Sequence, residues 1–364
     1  MNKLLKYSLG VLGLILTLQV QAQEKLEKDF SESFSIEDGD LLDLENEYGK
    51  IIIKEVSGTE LKIAVHVETE GKDAESTQES LDRVSVVMEK EGKVISAHTR
   101  LDAKANAFKS LVKSVGDAFN NNMNITYQVE VPKGLNLDVY QKNGDIQIAD
   151  VSSDYTIELN DGELKLDKIT GSLKLTLKGA EGTITSMADG SLTLENSSLD
   201  VKSGKNIVYN SNVNGCKLNA GNLESLFLDS KNDEIKCLSL GGLSGKSTLS
   251  KINIEKLNGI TDFNLTFGYI SVEEVTSDME SISIEGKSNA DIFMDFSKNL
   301  TFELELTGKE DHVKIPETDT ELKKTFLNEK AKEAQWKGKV GSGDTENRTV
   351  ILKTGGSGKI ELGR

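Results

Sequence analysis

One five-residue pattern recurs along this chain and limits what the chain can fold into. A turn residue, often glycine, is followed by one polar residue and then an apolar–polar–apolar triplet. It occurs as Gly49-Lys50-Ile51-Ile52-Ile53, Gly144-Asp145-Ile146-Gln147-Ile148, Gly162-Glu163-Leu164-Lys165-Leu166 and Gly182-Thr183-Ile184-Thr185-Ser186. It returns as Asp233-Glu234-Ile235-Lys236-Cys237, Ser250-Lys251-Ile252-Asn253-Ile254 and Gly268-Tyr269-Ile270-Ser271-Val272. Many copies carry another apolar residue three positions on: Val56, Val151, Ile169, Leu257, Val275. Alternation at period two describes a strand with one buried and one wet face. Gly, Asn and Asp between the triplets supply turns.

The spacings choose among β architectures. Ile146 to Leu164 is 18 residues, Leu164 to Ile184 is 20, Ile235 to Ile252 is 17 and Ile252 to Ile270 is 18. Other alternating runs lie between, such as Leu173-Lys174-Leu175-Thr176-Leu177. A unit this short cannot bury its own apolar face, whereas stacked units bury each other's. The repeat therefore predicts an all-β solenoid of stacked single coils, each 18–20 residues long, with capped ends. A β-sandwich or meander also has short strands and frequent turns, but it does not require the triplet to recur.

Four segments follow. Residues 1–22 read as a secretory signal peptide: Lys3 and Lys6, an apolar run from Leu9 to Leu18, then Val20-Gln21-Ala22. That run is short for a membrane span, the other reading of it, and no later run predicts a transmembrane helix. Residues 23–130 form an N-terminal β region, with strands expected at 41–47, 51–56, 60–69, 84–90 and 93–100. A short helix is expected at 73–83, and a helical insert at 101–122 carrying Phe108, Leu111, Val112, Val115 and Phe119. Residues 131–308 carry the solenoid repeats. Residues 309–364 hold a charged segment, helical over 321–334, and closing strands at 349–352 and 359–362.

Composition narrows the function. The net charge of −17 disfavours nucleic acid and anionic lipid, whose phosphates need Lys and Arg; the plain role of the acidity is solubility. His66, His98 and His312 are isolated in sequence, and no metal-ligand spacing occurs, so no cofactor and no metal are expected. Residues 123–308 contain no Arg and no His, which leaves a serine nucleophile there without a base. A carboxylate pair alone can hydrolyse glycosides, but sugar clefts present aromatic platforms, and the single Trp336 lies outside the repeats. Cys216 and Cys237, 21 residues apart, are about one coil apart. They are either a disulfide across neighbouring coils or two small buried residues in a ladder.

The stretch Tyr127-Gln128-Val129-Glu130-Val131-Pro132-Lys133-Gly134-Leu135, running into Gly144-Asp145-Ile146, resembles the DUF4097 and DUF2807 families of exported bacterial proteins. The latter is also called the auto-transporter adhesin, head GIN domain family. Leu42-Asp43-Leu44-Glu45-Asn46-Glu47-Tyr48-Gly49-Lys50-Ile51 is similar to the opening of the same family, and the leader is similar to those of Bacteroidota envelope proteins. The resemblance covers about residues 36–308 and implies a right-handed β-solenoid in the periplasm, at the outer membrane or on the cell surface. It brings no catalytic residues. The expected function is a non-catalytic, adhesin-like envelope or surface scaffold that binds a protein or glycan. The alternatives are a structural or sensory accessory acting with a membrane partner, and a carboxylate-based glycan hydrolase.

Overall fold

The computed structural model describes residues 24–101, 123–211, 215–317 and 320–364. The leader at 1–22 and all but the first residue of the expected insert at 101–122 lie outside the described residues. The described residues form 27 strands, one α-helix and one 3-10 turn. None of their helices is long and apolar enough to cross a membrane.

Strands from successive repeats pair parallel and in register, as two ladders that share one core. In the first ladder Ile157 stands between Val139 and Leu175. In the second, Ile252 stands between Ile235 and Ile270. Glu163–Lys178, Glu181–Glu195, Ser198–Asn210 and Lys217–Lys231 each contribute to both ladders by bending midway. Partners are 18 residues apart at Leu137, Tyr155 and Leu173, 17 at Lys217 and Glu234, and 22 at Tyr269 and Asp291. Alternate Ile, Leu and Val side chains point inward and form one continuous buried cluster from Leu42 to Leu362. Each fully buried aliphatic side chain contributes about 1.5–3 kcal/mol, which is why an aromatic-poor chain sustains a long core.

One triplet is placed differently from the spacing argument. Ile184 pairs with Leu166, and Gly182 pairs with Leu164, so this step is 18 residues and not 20. Gly182 is an inward position without a side chain. A Cβ there would lie 2.8 Å from Leu199 Cδ1 and 3.1 Å from Leu177 Cδ1, so neighbouring leucines fill the space. Gly268 does serve as a turn: its φ is +72°, and a Cβ would collide with the Ser250 carbonyl one repeat below.

The ends are capped by antiparallel strands. Met123–Pro132 extends the second ladder beside Gly49–Val56, Glu60–Gly71 pairs antiparallel with it, and Glu24–Ser35 pairs antiparallel with that. The helix Ala74–Asp82, close to its expected place, packs there with Thr77 and Leu81 buried; Asp73 caps it by accepting from the Ser76 N–H at 2.8 Å. At the other end the expected helix at 321–334 is a β-hairpin. Glu333–Val340 pairs with Phe302–Lys309, and Thr320–Asn328 pairs with Glu333–Val340. The open edge of Phe302–Lys309 supplies backbone partners that override the helix propensity of the Lys and Glu residues. The closing strands Thr349–Thr354 and Ile360–Gly363 are inserted inside the stack, between Ser281–Lys287 or Asp291–Phe296 and Phe302–Lys309 or Val313–Lys314.

Cys216 and Cys237 are both buried thiols. Cys237 is registered against Ala220 on one side and Ile254 on the other. Cys216 lies four residues before Ala220, about 13 Å along the strand, whereas a disulfide needs Cα atoms within about 7 Å. The pair differs by one repeat plus four residues, 21 against a local register step of 17.

Candidate functional site

The first ladder presents an outward row that runs across eight rungs: Asp138, Thr156, Lys174, Ser191, Val208, Phe227, Ser244 and Asp262. Strand periodicity puts them there, since Leu137, Tyr155, Leu173, Ile207, Leu226 and Leu243 beside them are buried. Eight rungs at about 4.8 Å span roughly 34 Å.

Beside this row runs a second, of small polar side chains that bond to the backbone N–H or the side chain on the next rung. Asn136 Oδ1 accepts from the Asp154 N–H at 3.3 Å, and Asp154 Oδ1 accepts from the Ser172 N–H at 2.8 Å. Asp189 Oδ1 accepts from Asn206 Nδ2 at 2.8 Å, and the Ser225 hydroxyl donates to Asn206 Oδ1 at 3.2 Å. Such bonds fix the rotamers and leave a shallow channel between the rows. The channel holds a hollow of about 610 Å³ from Leu41 to Val208 and a second of about 310 Å³ from Asn206 to Asp262. Asp, Asn, Ser, Thr and Lys residues line the first together with Leu41, Tyr155 and Val208, and the surface facing it is chiefly carbon; Val208, Phe227 and Ile260 line the second among polar residues. Val208, Phe227 and Ile260 are 37%, 44% and 54% exposed.

Phe227 is the functional candidate that composition concealed. Leu226-Phe227-Leu228 reads as a plain apolar run, but two inward leucines force the ring outward. The alternation was sufficient to find it.

The titratable groups singled out in sequence lie elsewhere. His98 Nδ1 is 3.1 Å from Glu45 Oε2, and its Nε2 is 3.7 Å from Asp43, at the N-terminal cap. His66 Nδ1 is 2.8 Å from Asp29 Oδ1 on the paired cap strand. His312 is in the 3-10 turn Glu310–His312 near the other end, and Trp336 lies in the C-terminal hairpin. Two carboxylates are buried among the described residues, Asp40 beside Lys90 and Asp233 inside the stack. Asp233 accepts from the Cys216 N–H at 3.1 Å, the Ser211 hydroxyl at 3.2 Å and the Tyr209 hydroxyl at 3.3 Å. Burial nevertheless pushes its pKa up to about 6.

No family model matches the chain, and no curated protein matches it. Solved structures do match. A "putative adhesin" of Parabacteroides distasonis has a TM-score of 0.33 and 11% identity, over 74% of this chain and 94% of that one. A "putative lipid binding protein" of the same species has a TM-score of 0.33 and 13% identity, over 92% and 97%. A "putative adhesin" of Bacteroides fragilis has a TM-score of 0.30 and 13% identity, over 73% and 97%.

Proposed function

We propose that this chain is a non-catalytic scaffold of the cell envelope or cell surface that binds an extended glycan along the first ladder. In this reading the ladders are the walls of a right-handed β-solenoid, and the leader exports it. The observation that carries the reading is the outward Phe227, in line with Val208 on one neighbouring rung and Ser244 on the other, in a row whose remaining members are polar. A long, shallow, ordered channel suits an extended polymer. Hydroxyl, amide and carboxylate groups match sugar hydroxyls, and an exposed ring offers a stacking face. Asp154 and Asp189 hold the ladder through Ser172 and Asn206. Those bonds give both carboxylates a structural role, which favours binding over hydrolysis.

The test is a glycan array probed with the wild-type protein and with Phe227→Ala. Binding to one class of polysaccharide, weakened tenfold or more in the variant, a loss of about 1.4 kcal/mol, supports the reading. Binding that Phe227→Ala leaves unchanged, or release of shortened glycan on incubation, contradicts it.

A further inference from the structure

Glu27, His66 and Glu68 come together on the solvent face of the N-terminal cap, away from the channel. The spacing is a property of the antiparallel pair. His66 and Glu68 are two apart on Glu60–Gly71 and so share a face. Glu27 is the direct cross-strand partner of Glu68, and Asp29 that of His66. One nitrogen of His66 and one carboxylate oxygen each from Glu27 and Glu68 lie within 4.8 Å of one another.

We propose that these three side chains form a binding site for a divalent first-row cation of the zinc type. An imidazole nitrogen with two carboxylates is a donor set such ions accept, with the remaining positions left to water. Asp29 is the positioning residue. An ionised carboxylate only accepts, so its 2.8 Å contact with His66 Nδ1 puts the ring proton on that nitrogen and leaves the Nε2 lone pair for the metal. Donor atoms around one zinc are about 3–3.5 Å apart, so closing the site takes movements on the order of 1 Å by glutamates that are partly exposed. Lys25 is the built-in competitor: its Nζ is 2.8 Å from Glu68 Oε2 and 3.0 Å from Glu27 Oε1. The two carboxylates already share one cation, and a divalent ion displaces the ammonium.

The experiment is calorimetric titration of the tag-free protein with Zn²⁺, with Co²⁺ absorption as the spectroscopic check on nitrogen ligation. One saturable site is expected. His66→Ala weakens it at least tenfold, Asp29→Asn about tenfold, Lys25→Met tightens it, and His98→Ala leaves it unchanged. All four residues are on the cap surface, and circular dichroism verifies that each variant folds. No saturable binding, binding that His66→Ala does not weaken, or binding that Lys25→Met weakens overturns the proposal.

Discussion

Val350 pairs with Ile282 on one side and with Leu304 on the other. Ile282 and Leu304 belong to strands consecutive in this ladder's sequence order, yet a strand from the end of the chain lies between them. The last stretch of chain is therefore an internal layer, with Val350, Leu352, Ile360 and Leu362 all buried. Deleting residues 345–364 strips both neighbours of backbone partners and removes that apolar area, a loss of at least about 5 kcal/mol. We expect the truncated protein to lose cooperative melting at its C-terminal end, and a synthetic peptide of residues 345–364 to restore it. A truncation that melts like the intact protein contradicts the insertion.

Leu249 and Phe267 occupy the left-handed turn position on adjacent repeats, with φ of +62° and +56°. Elsewhere Asn143, Asp161, Asn196 and Asn232 take left-handed turns of this kind. For a leucine that conformation costs about 1–2 kcal/mol, and asparagine tolerates it. Leu249 is 50% exposed, so little packing is lost on replacement. Leu249→Asn is expected to stabilise the protein by about 1 kcal/mol in denaturant unfolding. A variant no more stable than wild type shows that the turn stores no strain.

Asp233 makes stability depend on pH in the direction opposite to most carboxylates. Its folded pKa of about 6 is above the ordinary aspartate value of 3.8, because burial outweighs its hydrogen bonds. The folded state therefore holds the extra proton between those values. The stabilisation is complete below about pH 4 and is lost as pH rises through 6. Asp73, lowered chiefly by the Ser76 amide, acts in the opposite sense, so the useful quantity is the difference between wild type and Asp233→Asn. That difference is expected to shift in favour of the variant as pH rises from 4 to 6.5. A flat difference refutes the assignment.

Burial pushes the Cys237 thiol up to about 12, so the native protein should resist a thiol reagent and titrate two thiols once unfolded. A mass lower by two hydrogens before reduction would show a bridge.

What was legible in the sequence follows from where information is local. The triplets at Ile146, Leu164, Ile235, Ile252 and Ile270 are local alternations, and the ladders reproduce those steps. Gly182 departs from the spacing argument because glycine can be a turn or an empty inward position, and only the leucines of adjacent rungs decide. The 320–340 hairpin and the inserted strand were hidden because each depends on an edge supplied by distant residues. His66 looked isolated for the same reason: Glu27 and Asp29 are 39 and 37 residues away in sequence and reach it only through cross-strand pairing. Phe227 needed no distant information, only the period of two applied through Leu226 and Leu228.

The most direct test of the proposed function is photo-crosslinking in intact cells from position 227, with position 236 on the second ladder as the control. The account predicts capture of envelope or surface glycan from 227 and not from 236. Equal capture from both positions, or capture from 236 alone, contradicts it.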